Sequence, residues 1–332
     1  MLIILPVRPF LCKMLTMQLL TRTSKNLIVA VLSCIVVMFW LDNSLDVIEP
    51  FTTNVRVAAT SQPDESIWQS MAHEFTLDNK TQKTQVQAEI RKLLADQGKL
   101  YNILLAAAPY IYFIHQQTQA HGLPAELALI PVIESEFNPN DHSNKGATGL
   151  WQLMPDTAHG LGIKGTSREG YDGRRNVVAS THAALTYFKD LGNLFNGNWY
   201  LAIAAYNCGE GKVESAQRRT GSNNFWELPL PRETKCYVPK LLAVAAIIKN
   251  PAKYGVVLPP VKNAPYFAQL KVKKPVSLAT VAKSSGTSLE TLHTLNPDYN
   301  HGTAPVSKAG NTILIPANKL AVIKEKNIPQ LA

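Results

Sequence analysis

The chain has few of the residues that mark several protein classes. Its four cysteines stand at positions 12, 34, 208 and 236 of 332 residues, with no C-x-x-C pair. That spacing supports neither a disulfide framework nor a zinc site. The 18 glycines and 21 prolines are ordinary for this length and exclude collagen-like and low-complexity chains. Only 17% of residues are charged against 46% hydrophobic, too little charge for a disordered chain and enough apolar material for a real core, and 332 residues suggest about two domains. There is no H-E-x-x-H and no G-x-S-x-G, and the eight histidines are scattered, so metal and serine-nucleophile chemistry have no support. Gly160, Gly162 and Gly165 match G-x-G-x-x-G, but they follow a helical stretch and lack the strand a dinucleotide site needs. Gly209-Glu210-Gly211-Lys212 lacks the spacing and the hydroxyl of a phosphate loop. No metal and no cofactor are expected.

The net charge is +9 and lies unevenly along the chain. Residues 61–265 carry 20 basic and 18 acidic groups, whereas residues 266–332 carry 8 and 3. A nucleic-acid enzyme would more often have a basic catalytic body, so no nucleic-acid partner is expected. Near the start, Arg22 and Lys25 precede an apolar run over 27–41 that Asp42 ends. As a helix the run is about 22 Å long, short against the about 30 Å hydrocarbon core of a bilayer. It is also long for the apolar stretch of a signal peptide. Basic residues before it and Asp42, Asp46 and Glu49 after it favour a cytoplasmic N-terminus. The expected reading is an inner-membrane anchor, with the remainder on the periplasmic side of the envelope. A cleaved signal peptide, a lipoprotein processed at Cys34 and a buried helix of a soluble fold are the alternatives.

Along the rest of the chain, residues 42–84 read as linker and lead-in after a basic region over 1–26. From 85 to 258 apolar residues recur at helical spacing, as in Leu104, Ala108, Ile111 and Ile114, then Val177, Thr181, Ala184, Leu185, Phe188 and Leu191. Gly122 stops one helix and Pro124 opens the next, which reads to about Phe137. A loop spans 138–149, Asn198 can cap a helix over 199–207, and 238–248 is a further apolar helix. After a short linker at 259–265, residues 266–318 read as strand, helix, helix, strand. Thr287 and Glu290 have capping-box spacing for the second of those helices. Residues 319–332 read as a basic tail. The expected fold is mainly α, followed by a small βααβ domain.

One carboxyl stands out. Glu134 lies in Val-Ile-Glu-Ser-Glu-Phe at the end of an apolar stretch, where burial disfavours its charged form and raises its pKa. A general acid needs that to hold a proton near neutrality. Pro131, three residues earlier, breaks a helix rule in the way functional sites do. The plain alternative is a solvated glutamate at a helix end, and Glu136 fits that description better.

Four segments then fall in order: Glu134-Ser135-x-Phe137-x-Pro139 with Ser143; Gly149-Leu150-Trp151-Gln152-Leu153-Met154-Pro155; Ala205-Tyr206-Asn207-Cys208-Gly209; and Glu233-Thr234-x-x-Tyr237-Val238. This series resembles the lytic transglycosylases with a goose-lysozyme-like domain, over roughly residues 67–317. Residues 266–318, with Asn296-Pro297 and the closing Ile313–Pro316, resemble a degenerate LysM repeat, and a structural cap is the alternative to glycan binding there.

The resemblance implies a lysozyme-like helical catalytic domain acting on peptidoglycan, and a monomer is expected. It implies cleavage of the β-1,4 bond between N-acetylmuramic acid and N-acetylglucosamine, with Glu134 as the single catalytic acid and then base and a 1,6-anhydro ring as product. Glu136 and Asp156 stay open as a second carboxylate. Ser143, Gln152, Met154, Tyr206, Asn207, Glu233 and Tyr237 match substrate-groove positions, Asn207 with a structural role as the stronger alternative. Trp151 is divided between core and groove. Gly146 and Gly149 serve loop geometry. Cys208 and Cys236 lie in motifs that converge on one site in that family, so the resemblance allows a disulfide beside the alternative of two buried thiols. A hydrolytic muramidase on the same scaffold and a non-catalytic wall-binding protein remain the rival functions.

Overall fold

In the computed structural model the described residues are 65–163, 171–272, 275–299, 303–304 and 311–325. The apolar run 27–41 lies outside them, and among the described residues no helix is long and apolar enough to cross a membrane.

The fold is mainly α, as expected. Ser66 starts α1 (Ile67–His73): its hydroxyl accepts from Trp68 N, while Gln69 Oε1 accepts from Ser66 N at 3.1 Å. Ile67, Trp68 and Met71 are fully buried, and Trp68 Nε1 donates to Pro259 O at 3.1 Å. Ile67 N donates to Val261 O at 3.0 Å. The segments expected as lead-in and linker thus tie the two ends of the helical body together. α1 is too short to display periodicity, which is why the sequence pattern places the start of the body at 85.

Next come α2 (Thr84–Ala95), α3 (Gln97–Ala106) and α4 (Ile111–Ala120). The single helix expected from Pro124 to Phe137 is two pieces: a 3-10 turn, Ala125–Leu129, and α5 (Ile130–Glu134). Pro131 is the cause. It has no N–H to donate and its ring crowds the carbonyl four residues back, so an α ladder cannot run through it. Placed in the first turn of α5 it costs nothing. Contrary to expectation, Pro131 breaks no rule; it is a helix starter.

α6 (Pro155–Gly160), α7 (Val177–Leu194), α8 (Trp199–Cys208), α9 (Glu210–Thr220) and α10 (Arg232–Lys249) complete the body. Asn198 precedes α8 without a side-chain cap and donates instead to Asn223 O at 2.9 Å. α10 is the central helix, buried from Leu241 to Ile248 and packed on α1, α2 and α8.

In the C-terminal part, β1 (Phe267–Val272) pairs antiparallel with β4 (Asn311–Pro316), Phe267 opposite Pro316. A small second pair, β2 (Val276–Ser277) with β3 (Thr303–Ala304), was not foreseen. Ser277 caps α11 (Leu278–Ser285). Ser288 caps α12 (Leu289–Leu295), accepting from Thr291 N, so the capping position is one residue later than the Thr287–Glu290 spacing indicated. Asn296 is a staple: its amide donates to Leu292 O and Leu314 O, both at 2.8 Å, and accepts from Leu314 N at 2.7 Å, tying the end of α12 to β4. The expected tail opens with α13 (Leu320–Glu325), which buries Ile323 against this small core.

Candidate active site

Glu134 is the last residue of α5. The chain leaves the helix abruptly there, because Glu136 and Phe137 both adopt left-handed φ, +52° and +61°. Ser135 N and Phe137 N both donate to Pro131 O, at 3.2 and 3.1 Å, and Ser135 Oγ donates to Leu150 O at 2.9 Å. Two adjacent non-glycine residues in that region are costly and persist only where surrounding bonds impose them. The result points Glu134 and Glu136 in different directions. Glu136 pairs with Lys99 at 2.7 Å at the solvent-exposed edge of a separate cavity. Glu134 enters a groove.

The groove has a volume of about 720 Å³ and draws together all eight residues singled out in the sequence: Glu134, Ser143, Gln152, Met154, Tyr206, Asn207, Glu233 and Tyr237. α5 supplies the first, the 138–154 loop the next three, the end of α8 the tyrosine and asparagine, and the first turns of α10 the last two. Tyr237 Oη donates to Glu134 Oε1 at 2.5 Å. Burial pushes the Glu134 carboxyl up to about 7; the Tyr237 hydrogen bond and Lys240 oppose the shift, and the like charges of Glu233 and Asp141 add to it. Tyr237 and Tyr206 are raised well above the ordinary phenol value, first by burial and then by Glu134, so both stay protonated.

Tyr206 is fixed by its hydroxyl, which donates to Trp151 O at 2.7 Å, and by stacking on Phe188 at 4.3 Å between ring centroids. Trp151 is fully buried and its indole N–H donates to Thr181 Oγ1, so it belongs to the core. Gln152 sits at φ +46° and its Nε2 donates to Gly149 O and Asp141 O, at 3.0 and 3.2 Å. With both amide protons so used, the amide oxygen is the acceptor it has left. Ser143 Oγ accepts from Ala147 N at 3.0 Å, which leaves its proton to donate. Asn207 Oδ1 accepts from Thr234 Oγ1 at 2.7 Å, linking α8 to α10. Met154 is 42% exposed, an apolar surface facing the groove. Glu233 is exposed on its rim.

Of the two carboxylates left open as a second group, Glu136 faces away and Asp156 does not line the groove. Asp141 does, and was missed. Its position two residues before Ser143 in a polar loop was the available signal. Cys208 and Cys236 are both free. Cys208 is half-buried in the groove, its thiol raised by burial, while Cys236 is exposed beside the other cavity. Neither the disulfide nor the pair of buried thiols is present.

A helical body that holds a buried, protonatable carboxyl in an open groove has the arrangement of a general acid–base enzyme. Residues 111–229 match the family model described as the transglycosylase SLT domain, and residues 266–328 match that of the LysM-like domain of lytic transglycosylase MltD. The chain belongs to the transglycosylase SLT domain family. It is 39% identical over 249 residues to membrane-bound lytic murein transglycosylase D of Escherichia coli (strain K12), covering 74% of this chain and 54% of that protein. A protein of Alteromonas sp. (strain M-1) named for tributyltin chloride resistance is 38% identical over 169 residues, 50% of this chain and 79% of that one. The crystal structure of the 70-kDa soluble lytic transglycosylase of Escherichia coli covers 49% of this chain and 30% of its own, at 26% identity and a TM-score of 0.38. The chain thus spans about half the length of the murein transglycosylase D it matches.

Proposed function

We propose that the protein is a peptidoglycan lytic transglycosylase that cleaves between N-acetylmuramic acid and N-acetylglucosamine and closes a 1,6-anhydro ring. The observation that carries this reading is the state of Glu134: raised by burial to about 7, it can both give and take a proton near neutrality. Protonated Glu134 gives its proton to the leaving glycosidic oxygen. The 2-acetamido group of the muramic acid stabilises the developing cation, and the carboxylate then takes the proton of the O6 hydroxyl as O6 bonds to C1. One bond breaks, one forms, and no water enters. Tyr237 holds one carboxyl oxygen, leaving the other for the sugar. Ser143 offers a donor and Gln152 an acceptor to the glycan, and Met154 an apolar surface.

A second reading, hydrolysis on the same scaffold, is favoured by one observation: Asp141 and Glu233 line the groove near enough to raise Glu134. Digestion of sacculi followed by mass spectrometry separates the two. Anhydro-ended muropeptides are expected. Reducing ends instead, lost in Asp141→Asn, would establish hydrolysis. For location, we favour an enzyme held at the periplasmic face of the inner membrane by residues 27–41 and acting as a monomer. Fractionation of cells and light scattering of the soluble part check this.

A further inference from the structure

The C-terminal LysM-like domain reaches the catalytic groove through a short strap of chain, residues 171–176. Tyr299 bridges to Tyr171 with their rings 5.8 Å apart, and its hydroxyl donates to Thr312 O, which roots the contact in the C-terminal sheet. Asp298 is almost fully buried. Its carboxylate accepts from Asn176 Nδ2 at 2.7 Å, and its backbone carbonyl accepts from Asp172 N at 3.3 Å. Asn176 in turn caps α7, its Oδ1 accepting from Ala179 N at 2.8 Å. The domain therefore sets where the strap begins and ends.

At the centre of the strap Asp172 grips Arg174 with both oxygens: Oδ1 accepts from Nε at 3.0 Å and Oδ2 from Nη2 at 2.9 Å. Such a fork holds the guanidinium plane in one orientation. The remaining nitrogen, Nη1, donates to Gly146 O at 2.7 Å and reaches Leu153 O at 3.4 Å. Those two carbonyls lie at opposite ends of the loop that presents Ser143, Gln152 and Met154 to the groove. The strap also presses on the middle of that loop, since a Cβ on Gly149 would lie 2.2 Å from Arg174 O. One partly buried cation thus clamps both sides of the loop, and it is seated by a residue pair that the C-terminal domain holds.

We propose that Arg174 is a positioning residue for the 143–154 loop and that the LysM-like domain, through Asp298, keeps it in place, so that turnover in the groove requires a docked C-terminal domain. The face around Asp298 and Tyr299 is spent on the catalytic body and is not available to glycan. This inference rests on the groove being the catalytic site.

The test uses the full chain and four variants. Arg174→Lys keeps the charge but loses the fork; Asp298→Ala loses the acceptor for Asn176; Asp298→Asn retains an acceptor oxygen and is the conservative control; Lys283→Gln, on α11 of the C-terminal domain, is a remote control. Muropeptide release from sacculi gives kcat and KM, and amide hydrogen exchange reads Ala147, Gly149 and Leu153. Arg174→Lys and Asp298→Ala are expected to lower kcat about tenfold to a hundredfold, the scale of a misplaced site, with KM changed less than threefold. Exchange in the loop should quicken at temperatures well below unfolding, and Asp298→Asn and Lys283→Gln should retain wild-type kcat. Unchanged kcat and loop exchange in Arg174→Lys, or losses that follow melting temperature alone, would overturn the proposal. A wild-type protein that releases no muropeptides refutes the functional reading instead, and loop exchange still decides whether Arg174 holds the loop.

Discussion

Glu134 can be read through stability, independently of any substrate. Its ordinary carboxyl value is 4.5 and burial raises it to about 7. A group whose folded value is raised is bound more tightly to its proton in the fold, so ionising it opposes folding. A one-unit difference between the folded and unfolded pKa corresponds to about 1.4 kcal/mol. The cost is absent well below pH 4.5, about 1 kcal/mol at pH 5, and about 3 kcal/mol from pH 7 upward. Glu134→Gln removes it while keeping an oxygen to accept from Tyr237 Oη. The variant should lose turnover and gain stability, and the gain should follow pH. Melting curves of both proteins at pH 4, 5, 6, 7 and 8 test this. The difference should be near zero at pH 4 and rise to roughly 6–12 °C at pH 7, taking about 2–4 °C per kcal/mol for a domain of this size. A difference that does not vary with pH, or one complete by pH 5, would show that Glu134 titrates as an ordinary surface carboxylate, and the acid–base assignment would fall with it.

Tyr237→Phe removes the hydrogen bond that opposes the upward shift of Glu134. The alkaline limb of the pH–rate profile should move to higher pH while the maximal rate falls; a limb moving to lower pH would contradict the arrangement. Asp298 is raised by burial from 3.8 to about 6, so its ionisation costs about 3 kcal/mol, absent below about pH 4 and complete above about pH 6. Asp298→Asn should therefore be more stable than the parent at pH 7 and equal to it near pH 3.5, measured by urea unfolding; equal stability at both would refute the burial argument. Among thiols, exposed Cys236 should alkylate rapidly without loss of turnover, whereas half-buried Cys208, raised by burial, should react slowly and be shielded by bound glycan strands. Mass spectrometry after timed N-ethylmaleimide treatment distinguishes them, and equal rates would count against the two environments described.

Some helices long enough to display a period were legible from sequence alone, but α9 was not foreseen, and the Leu104–Ile114 spacing runs across the turn between α3 and α4. α7 shows a period because Val177, Ala184, Leu185, Phe188 and Leu191 must all reach the same core. The C-terminal strand β1 was also legible, since Leu270 and Val272 are buried on either side of exposed Lys271. Segments stabilised by single contacts were not. α1 has seven residues and is held by Trp68 against Pro259, 191 positions away, and nothing local announces that pairing. The break at Pro131 could have been foreseen from the missing N–H. Counting apolar residues through it produced one helix where the backbone requires two.

The site was legible for a different reason. Its residues are few, but each sits in a segment whose neighbours are constrained by backbone geometry. Gly149, at φ +85° and without room for a Cβ, is one such constraint. Gln152, left-handed and bonded to two carbonyls, is another. Such constraints leave recurring short motifs, and motifs are what a reader of sequence can see. Arg174 leaves none. It meets the groove only through carbonyl oxygens, and a carbonyl places no demand on the type of residue that bears it. Asp298 stands another step away, in a different domain, acting through Asn176 and Asp172. A group that acts on backbone, or on a group that does so, has its partners written in the fold rather than in residue types. The parts of this molecule that hold the catalytic loop in place were for that reason the last to become visible.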